Sequence, residues 1–176
     1  DYALAVYLKR QINKLPPAGK NNFIRAHHKL VSAACLTGGK RLRAILTLLA
    51  YQAVGGKKEK EIVFPALAFE LFHNYTLVHD DVYDEDLLRR GEPSFHAEFS
   101  SWFRKNRKNV TQTSLLYKSI SKRFGVIGAI LAGEVLHNLC IDAILGPGVK
   151  DPQKLEGLKI YAAAAHADNA CQLLDL

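Results

Sequence analysis

A chain of 176 residues, 48% of them hydrophobic and without internal repeats, is long enough for one domain with its own core. No stretch reaches the apolar length of a membrane span and no signal-peptide pattern heads the sequence, so a soluble, cytoplasmic protein is expected. The net charge of +7 matches the seven cations Arg104, Lys105, Arg107, Lys108, Lys118, Lys122 and Arg123, which run without an intervening acid. Their Ser, Thr, Asn and Gln neighbours favour a solvated linker over a nucleic-acid surface. Cys35, Cys140 and Cys171 are odd in number, far apart and in apolar surroundings, which fits buried free thiols rather than a disulfide frame or zinc site. Met is absent even at position 1, which points to a fragment or to processing.

Apolar residues recur at helical spacing almost throughout and no alternating strand pattern is sustained, so the chain reads as all-α. Helices are expected over 2–14, 21–36, 40–54, 62–88, 94–104, 113–145 and 153–176. Pro16-Pro17, Gly38-Gly39, Gly55-Gly56, Gly91 with Pro93, and Gly146-Pro147-Gly148 punctuate them. Pro65 is tolerable only near the start of its helix. Gly128, Ala129, Ala132 and Gly133 place small residues on neighbouring turns, so that helix is expected to approach another closely. The fold expected is an antiparallel helical bundle around a central active-site cavity, with the polar site inside one end.

Five of the seven residues from Asp80 to Asp86 are acidic, at the end of an apolar helical segment. Acids in the last turn face the negative end of the helix macrodipole, at a cost of roughly 0.3–1 kcal/mol each. A cation is needed to offset that cost. Asp80 and Asp84 lie four apart, on one side of a helix. Two aligned carboxylates suit Mg²⁺, which completes its octahedron with water and phosphate oxygens. Arg89-Arg90 follow closely, and guanidinium forks bind phosphate by paired, charge-assisted hydrogen bonds. Metal and arginines together imply a pyrophosphate ester. His73 stands two turns before Asp80 on the same side, placed to line the same cavity.

Three blocks give the pattern wider meaning: Gly38-Gly39-Lys40-Arg41-Leu42-Arg43, the run from Phe69 to Asp81 leading into Arg89-Arg90-Gly91-Glu92-Pro93, and Ala129-Ile130-Leu131-Ala132-Gly133-Glu134. With Gln172-Leu173-Leu174-Asp175-Leu176 they closely resemble the trans-isoprenyl diphosphate synthases, or polyprenyl synthetases, in a short-chain, geranylgeranyl or farnesyl form. The resemblance implies a reaction in which an allylic diphosphate (dimethylallyl, geranyl or farnesyl) ionises, isopentenyl diphosphate attacks, and a proton leaves.

Carried over position by position, the resemblance gives Asp80 and Asp84 to Mg²⁺, with Asp81 supporting and Asp175 as a more distant metal position. Arg89 would bind the allylic diphosphate. Lys40, Arg43, His73 and Arg90 would bind isopentenyl diphosphate, Gln172 would face substrate, and Tyr75 with Thr76 would limit chain length. Arg41 is expected to cap a helix or lie on the surface. The resemblance also implies a homodimer and a second aspartate-rich motif downstream, before which this chain stops. Ala44 stands where Pro is usual, Glu134 where Asp is, and Cys171 where Gly is. The alternatives are a non-catalytic partner subunit of an active synthase, or a basic helical nucleic-acid binder that leaves the aspartates idle.

Overall fold

The computed structural model describes residues 1–15, 21–107 and 115–175. Among the described residues seven helices follow one another: α1 (Tyr2–Asn13), α2 (Asn22–Leu36), α3 (Leu42–Ala53), α4 (Glu59–Tyr83), α5 (Phe95–Asn106), α6 (Ile120–Ile144) and α7 (Asp151–Asp175). Between α4 and α5 lies a hairpin absent from the sequence expectation, β1 (Leu88–Arg89) against β2 (Glu92–Pro93), antiparallel with Arg89 opposite Glu92.

The centre is the antiparallel pair α4 and α6. Cys140 Sγ meets the Ala68 carbonyl at 3.5 Å near one end, and His79 Nε2 meets the Ile130 carbonyl at 3.2 Å near the other. The small residues of α6 make this approach possible. A Cβ at Gly133 would run into the His79 ring, and one at Gly128 into Phe99 of α5. Ala129, Ala132, Leu136, Cys140 and Ala143 are fully excluded from solvent. α6 is also long and apolar enough to cross a membrane, which corrects the expectation that no stretch qualifies; its small-residue face is packed as a core helix.

Around this pair, α1 and α2 are tied to α6 by buried polar groups. Tyr7 donates its hydroxyl to the Leu139 carbonyl at 3.0 Å, and His27 Nε2 donates to the Gly128 carbonyl at 2.8 Å. Burial lowers the His27 pKa below its ordinary value, so the ring is a neutral donor. α5 adds an aromatic wedge in which Phe99 and Trp102 stack and Phe23 of α2 packs edge-on. α7 lies against α6 through Tyr161 and His137, and runs parallel to α4.

Two helix boundaries differ instructively from expectation. α4 begins at Glu59, which places Pro65 in its second turn, where the missing N–H leaves the Glu61 carbonyl without its intrahelical donor. Gly148, at φ +116°, covers that carbonyl so closely that a Cβ there would collide with it. At the other end α4 stops at Tyr83 rather than continuing to 88, because Glu85 takes the left-handed conformation at φ 55°. Asp86 N–H then reaches the Asp81 carbonyl at 3.0 Å and Glu85 N–H the Val82 carbonyl at 3.4 Å, a Schellman closure with Glu in the place usually held by Gly. α6 begins at Ile120; the expected start at 113 lies outside the described residues.

Candidate active site

Asp80 and Asp81 occupy the last turn of α4, and Asp84 is its C-cap, with its own N–H bonded to the Asp80 carbonyl. The partner these acids require arrives on the hairpin. Arg90 and Gly91, at φ 57° and 83°, form a two-residue turn of the kind that matches strand twist, and it delivers Arg89 back onto α4. Arg89 Nε donates to Asp81 Oδ1 at 2.6 Å and Nη2 to Asp80 Oδ2 at 2.8 Å. Burial works against charge on Arg89, but its bonds to Asp81 and Asp80 outweigh it and hold the pKa above the ordinary value. Burial raises the Asp81 carboxyl above its usual range, and the same bonds oppose the rise. Asp81 is therefore a buried structural partner of Arg89, while Asp80 is half-buried and Asp84 exposed.

The cationic side is built by the segment that enters α3. Gly38 and Gly39, at φ 63° and 102°, fold over Arg90, whose Nη1 donates to the Thr37 carbonyl at 2.8 Å. A Cβ on Gly39 would sit 3.1 Å from that nitrogen. Lys40 and Arg43 follow, both exposed. Across from them is His73 of α4, whose pKa is lowered first by burial and then by Arg43, with Arg90 and Arg89 adding to the effect and Glu70 opposing it. The charges of three arginines from two separate segments thus act on this one imidazole. Arg41 stands at the N-cap of α3, one of its two expected places, without a side-chain cap bond, and its side chain turns inward rather than onto the surface. Its side chain is 13% exposed and bridges Asp1 at 2.6 Å and Glu70 at 3.5 Å.

α7 closes the site on a third side. Gln172 Nε2 reaches Asp80 Oδ1 at 3.5 Å, which places this residue beside the first aspartate. Asp168, one turn earlier, is a site residue the sequence reading missed. Burial and then the charge of Asp80 raise its pKa, with His79 opposing. Its only signal was the four-residue spacing before Gln172. Asp175 is exposed, and among the described residues no bond joins it to the other acids. Nor do the described residues hold a ready-made group of three or more His, Cys, Asp or Glu for a metal. Cys35 and Cys140 are buried, with thiols pushed up to about 12 by burial, whereas Cys171, beside Gln172, is exposed, contrary to expectation.

Deeper along α4 the surroundings become aromatic. Tyr75 is buried and packs on Phe72, His79 and His137. Tyr161 of α7 meets Phe72 edge-on at 5.5 Å and bonds through its hydroxyl to His137 Nδ1 at 2.6 Å. Thr76 spends its hydroxyl on the His73 carbonyl. Beyond Phe72 and Tyr161, away from the aspartates, lies an apolar cavity of about 340 Å³ between α3, α4, α6 and α7. A second cavity, of about 500 Å³, lies on the α2 and α5 side of the hairpin and is lined by Asp81, Arg89 and Arg90.

Residues 25–176 match the polyprenyl synthetase family. The chain belongs to that family. It is 33% identical over 130 residues to a geranylgeranyl diphosphate synthase of Methanosarcina mazei, covering 74% of this chain and 31% of that protein. With a farnesyl diphosphate synthase of Haemophilus influenzae it shares 32% over 148 residues, covering 81% and 41%. The crystal structure of geranylgeranyl pyrophosphate synthetase from Pyrococcus horikoshii superposes with a TM-score of 0.67 at 27% identity, over 94% of this chain and 40% of that one. A geranylgeranyl pyrophosphate synthase from Corynebacterium glutamicum, at 23% identity and a TM-score of 0.64, shares the fold. The chain thus spans about 31–41% of the length of these relatives. The all-α architecture is that of isoprenoid synthases.

Proposed function

We propose that this chain is part of a Mg²⁺-dependent prenyltransferase that joins an allylic diphosphate to isopentenyl diphosphate and makes a short-chain prenyl diphosphate. The observation that carries the reading is the meeting of Asp80, Arg89, Arg90, Arg43 and His73 at one end of a bundle whose next layer down is apolar and aromatic. Such a site binds a doubly charged head group and shields a hydrocarbon tail.

The donor chemistry fits Mg²⁺. Asp80 and Asp84 offer hard carboxylate oxygens one turn apart, with no thiolate among them, and Mg²⁺ commonly takes one or two carboxylates with the remaining positions filled by water and phosphate oxygens. When bound, the ion neutralises charge on the diphosphate. Arg89, forked between Asp80 and Asp81, is held where it can share a phosphate oxygen of the allylic substrate. Lys40, Arg43, Arg90 and the neutral His73 form the second diphosphate site, for isopentenyl diphosphate. The allylic C–O bond breaks with its electron pair going to the leaving diphosphate. The isopentenyl double bond attacks the resulting carbon, and loss of a proton restores a double bond. Preorganised cations lower the first barrier by meeting charge as it develops.

Chain length is read from the floor formed by Phe72, Tyr75 and Tyr161, with Tyr75 about 7.5 Å and Phe72 about 12 Å of helix rise below Asp80. This favours the twenty-carbon product, with the fifteen-carbon product as the alternative and dimethylallyl, geranyl or farnesyl diphosphate as starters. The protein is proposed to act as a homodimer in the cytoplasm. Incubation of the full-length protein with isopentenyl and farnesyl diphosphates and Mg²⁺, then chromatography of the dephosphorylated alcohols, should show geranylgeraniol. No elongated alcohol of any length would overturn the reading.

A further inference from the structure

One deeply buried charged side chain near the site takes no part in the chemistry described above. Glu70 is 4% exposed and stands one turn before His73 on α4. Its Oε1 accepts the Ala44 N–H at 3.3 Å, and its Oε2 pairs with Arg41 Nη1 at 3.5 Å. Both partners belong to the segment that enters α3. That helix has Arg41 at its N-cap in the left-handed conformation, with no side-chain cap of its own. Glu70 supplies from α4 what the N-cap residue does not, an acceptor for a first-turn N–H and a negative charge at the positive end of the helix dipole. This bond uses the Ala44 N–H, which a Pro in that place would lack.

The segment is therefore pinned at two points. Arg90 holds its entrance through the Thr37 carbonyl, and Glu70 holds its exit through Arg41 and Ala44. Between the pins stand Lys40 and Arg43, exposed, with Arg43 close enough to His73 to depress its pKa. We infer that Glu70 is a positioning residue for the second diphosphate site: it fixes the backbone from Arg41 to Ala44 so that Lys40 and Arg43 are presented beside His73. This inference rests on the reading of that site given under the proposed function. It assigns Glu70 no contact with substrate and no proton transfer.

The test uses the full-length protein, with KM for each diphosphate and kcat measured for the parent, Glu70→Gln, Arg41→Gln and the double variant. Glu70→Gln keeps an acceptor for Ala44 but loses the charge that holds Arg41. It should raise KM for isopentenyl diphosphate about tenfold, the effect of losing one charge-assisted bond, while KM for the allylic substrate stays within about twofold. Arg41→Gln should do the same, and the double variant should be no worse than either single one, since the two residues act as one unit. Equal rises in both KM values, or an unchanged isopentenyl KM in folded variants, would overturn the inference. If Glu70→Gln does not fold, Arg41→Gln decides alone. A parent that elongates nothing condemns the proposed function, whereas an active parent with indifferent variants condemns only the role of Glu70.

Discussion

Below Phe72, α4 packs Ala68, Leu71 and Leu67 against its neighbours as apolar side chains excluded from water, with Glu70 the buried charged exception on the α3 side. Above it, α4 presents His73, Asp80 and Asp81 to Arg43, Arg89 and Arg90, and Asp168 and Gln172 complete the ring from α7. The lower half is held by shape. The upper half is held by charge neutralisation, with Arg89 offsetting two carboxylates that stand at the unfavourable end of a helix dipole. The difference separates stability from activity: removing atoms from the lower half should loosen the fold, and removing charge from the upper half should spare the fold and impair phosphate chemistry.

Four substitutions put that separation under strain. Asp80→Asn, at a half-buried position, should lower elongation by the full-length protein about 10³-fold, the loss expected when a preorganised electrostatic contact is removed. Its unfolding midpoint should stay near that of the parent; a large drop in the midpoint, measured by chemical denaturation, would blur the division. Leu136→Ala removes a fully buried side chain from α6 and should cost about 2–5 kcal/mol of unfolding free energy, with the diphosphate KM values little changed in the protein that remains folded. Tyr75→Ala and Tyr161→Ala probe the boundary between the halves. Either should lengthen the product by giving the chain access to the cavity of about 340 Å³ beyond Phe72, and an unaltered alcohol profile would show that the floor lies elsewhere.

The smallest effect concerns His73. Its folded pKa lies below the unfolded value near 6.5, so the unfolded chain binds the proton more readily. The stability this neutral imidazole contributes is present above about 6.5 and is lost as pH falls through that value toward the folded pKa. His73→Asn should therefore lose less stability than the parent between neutral and mildly acidic pH. Parallel curves for the two proteins would contradict the depressed pKa.

Much of this was legible from residue spacing. Six of the expected helices appear within three residues at their starts, because helical periodicity and glycine punctuation are local signals. The aspartates, arginines, His73 and Gln172 stood out as candidates because they fall in short runs with distinctive neighbours. The hairpin at 88–93 was not, since two residues per strand leave no alternation to detect, and its turn uses Arg90 at a positive φ where a reader looks first for Asn or Asp. The N-cap place of Arg41 was among its expected ones, but its inward turn was hidden for a related reason. Three cations within four residues look alike on paper, and only a left-handed backbone at Arg41 sends one of them inward to Glu70 while its neighbours stay exposed.

Order along the chain was enough to define the helices, the small-residue face of α6 and the types of group the site employs, because hydrophobic period, small-residue spacing and charge are properties of neighbouring residues. Which of those groups pair with one another was settled by packing. Arg89 on Asp80 and Asp81, Glu70 on α3, Asp168 in the field of Asp80 and Tyr161 on His137 join residues on different elements. Such pairings arise when the helices dock and buried polar groups must find partners away from water, a demand that local spacing does not encode.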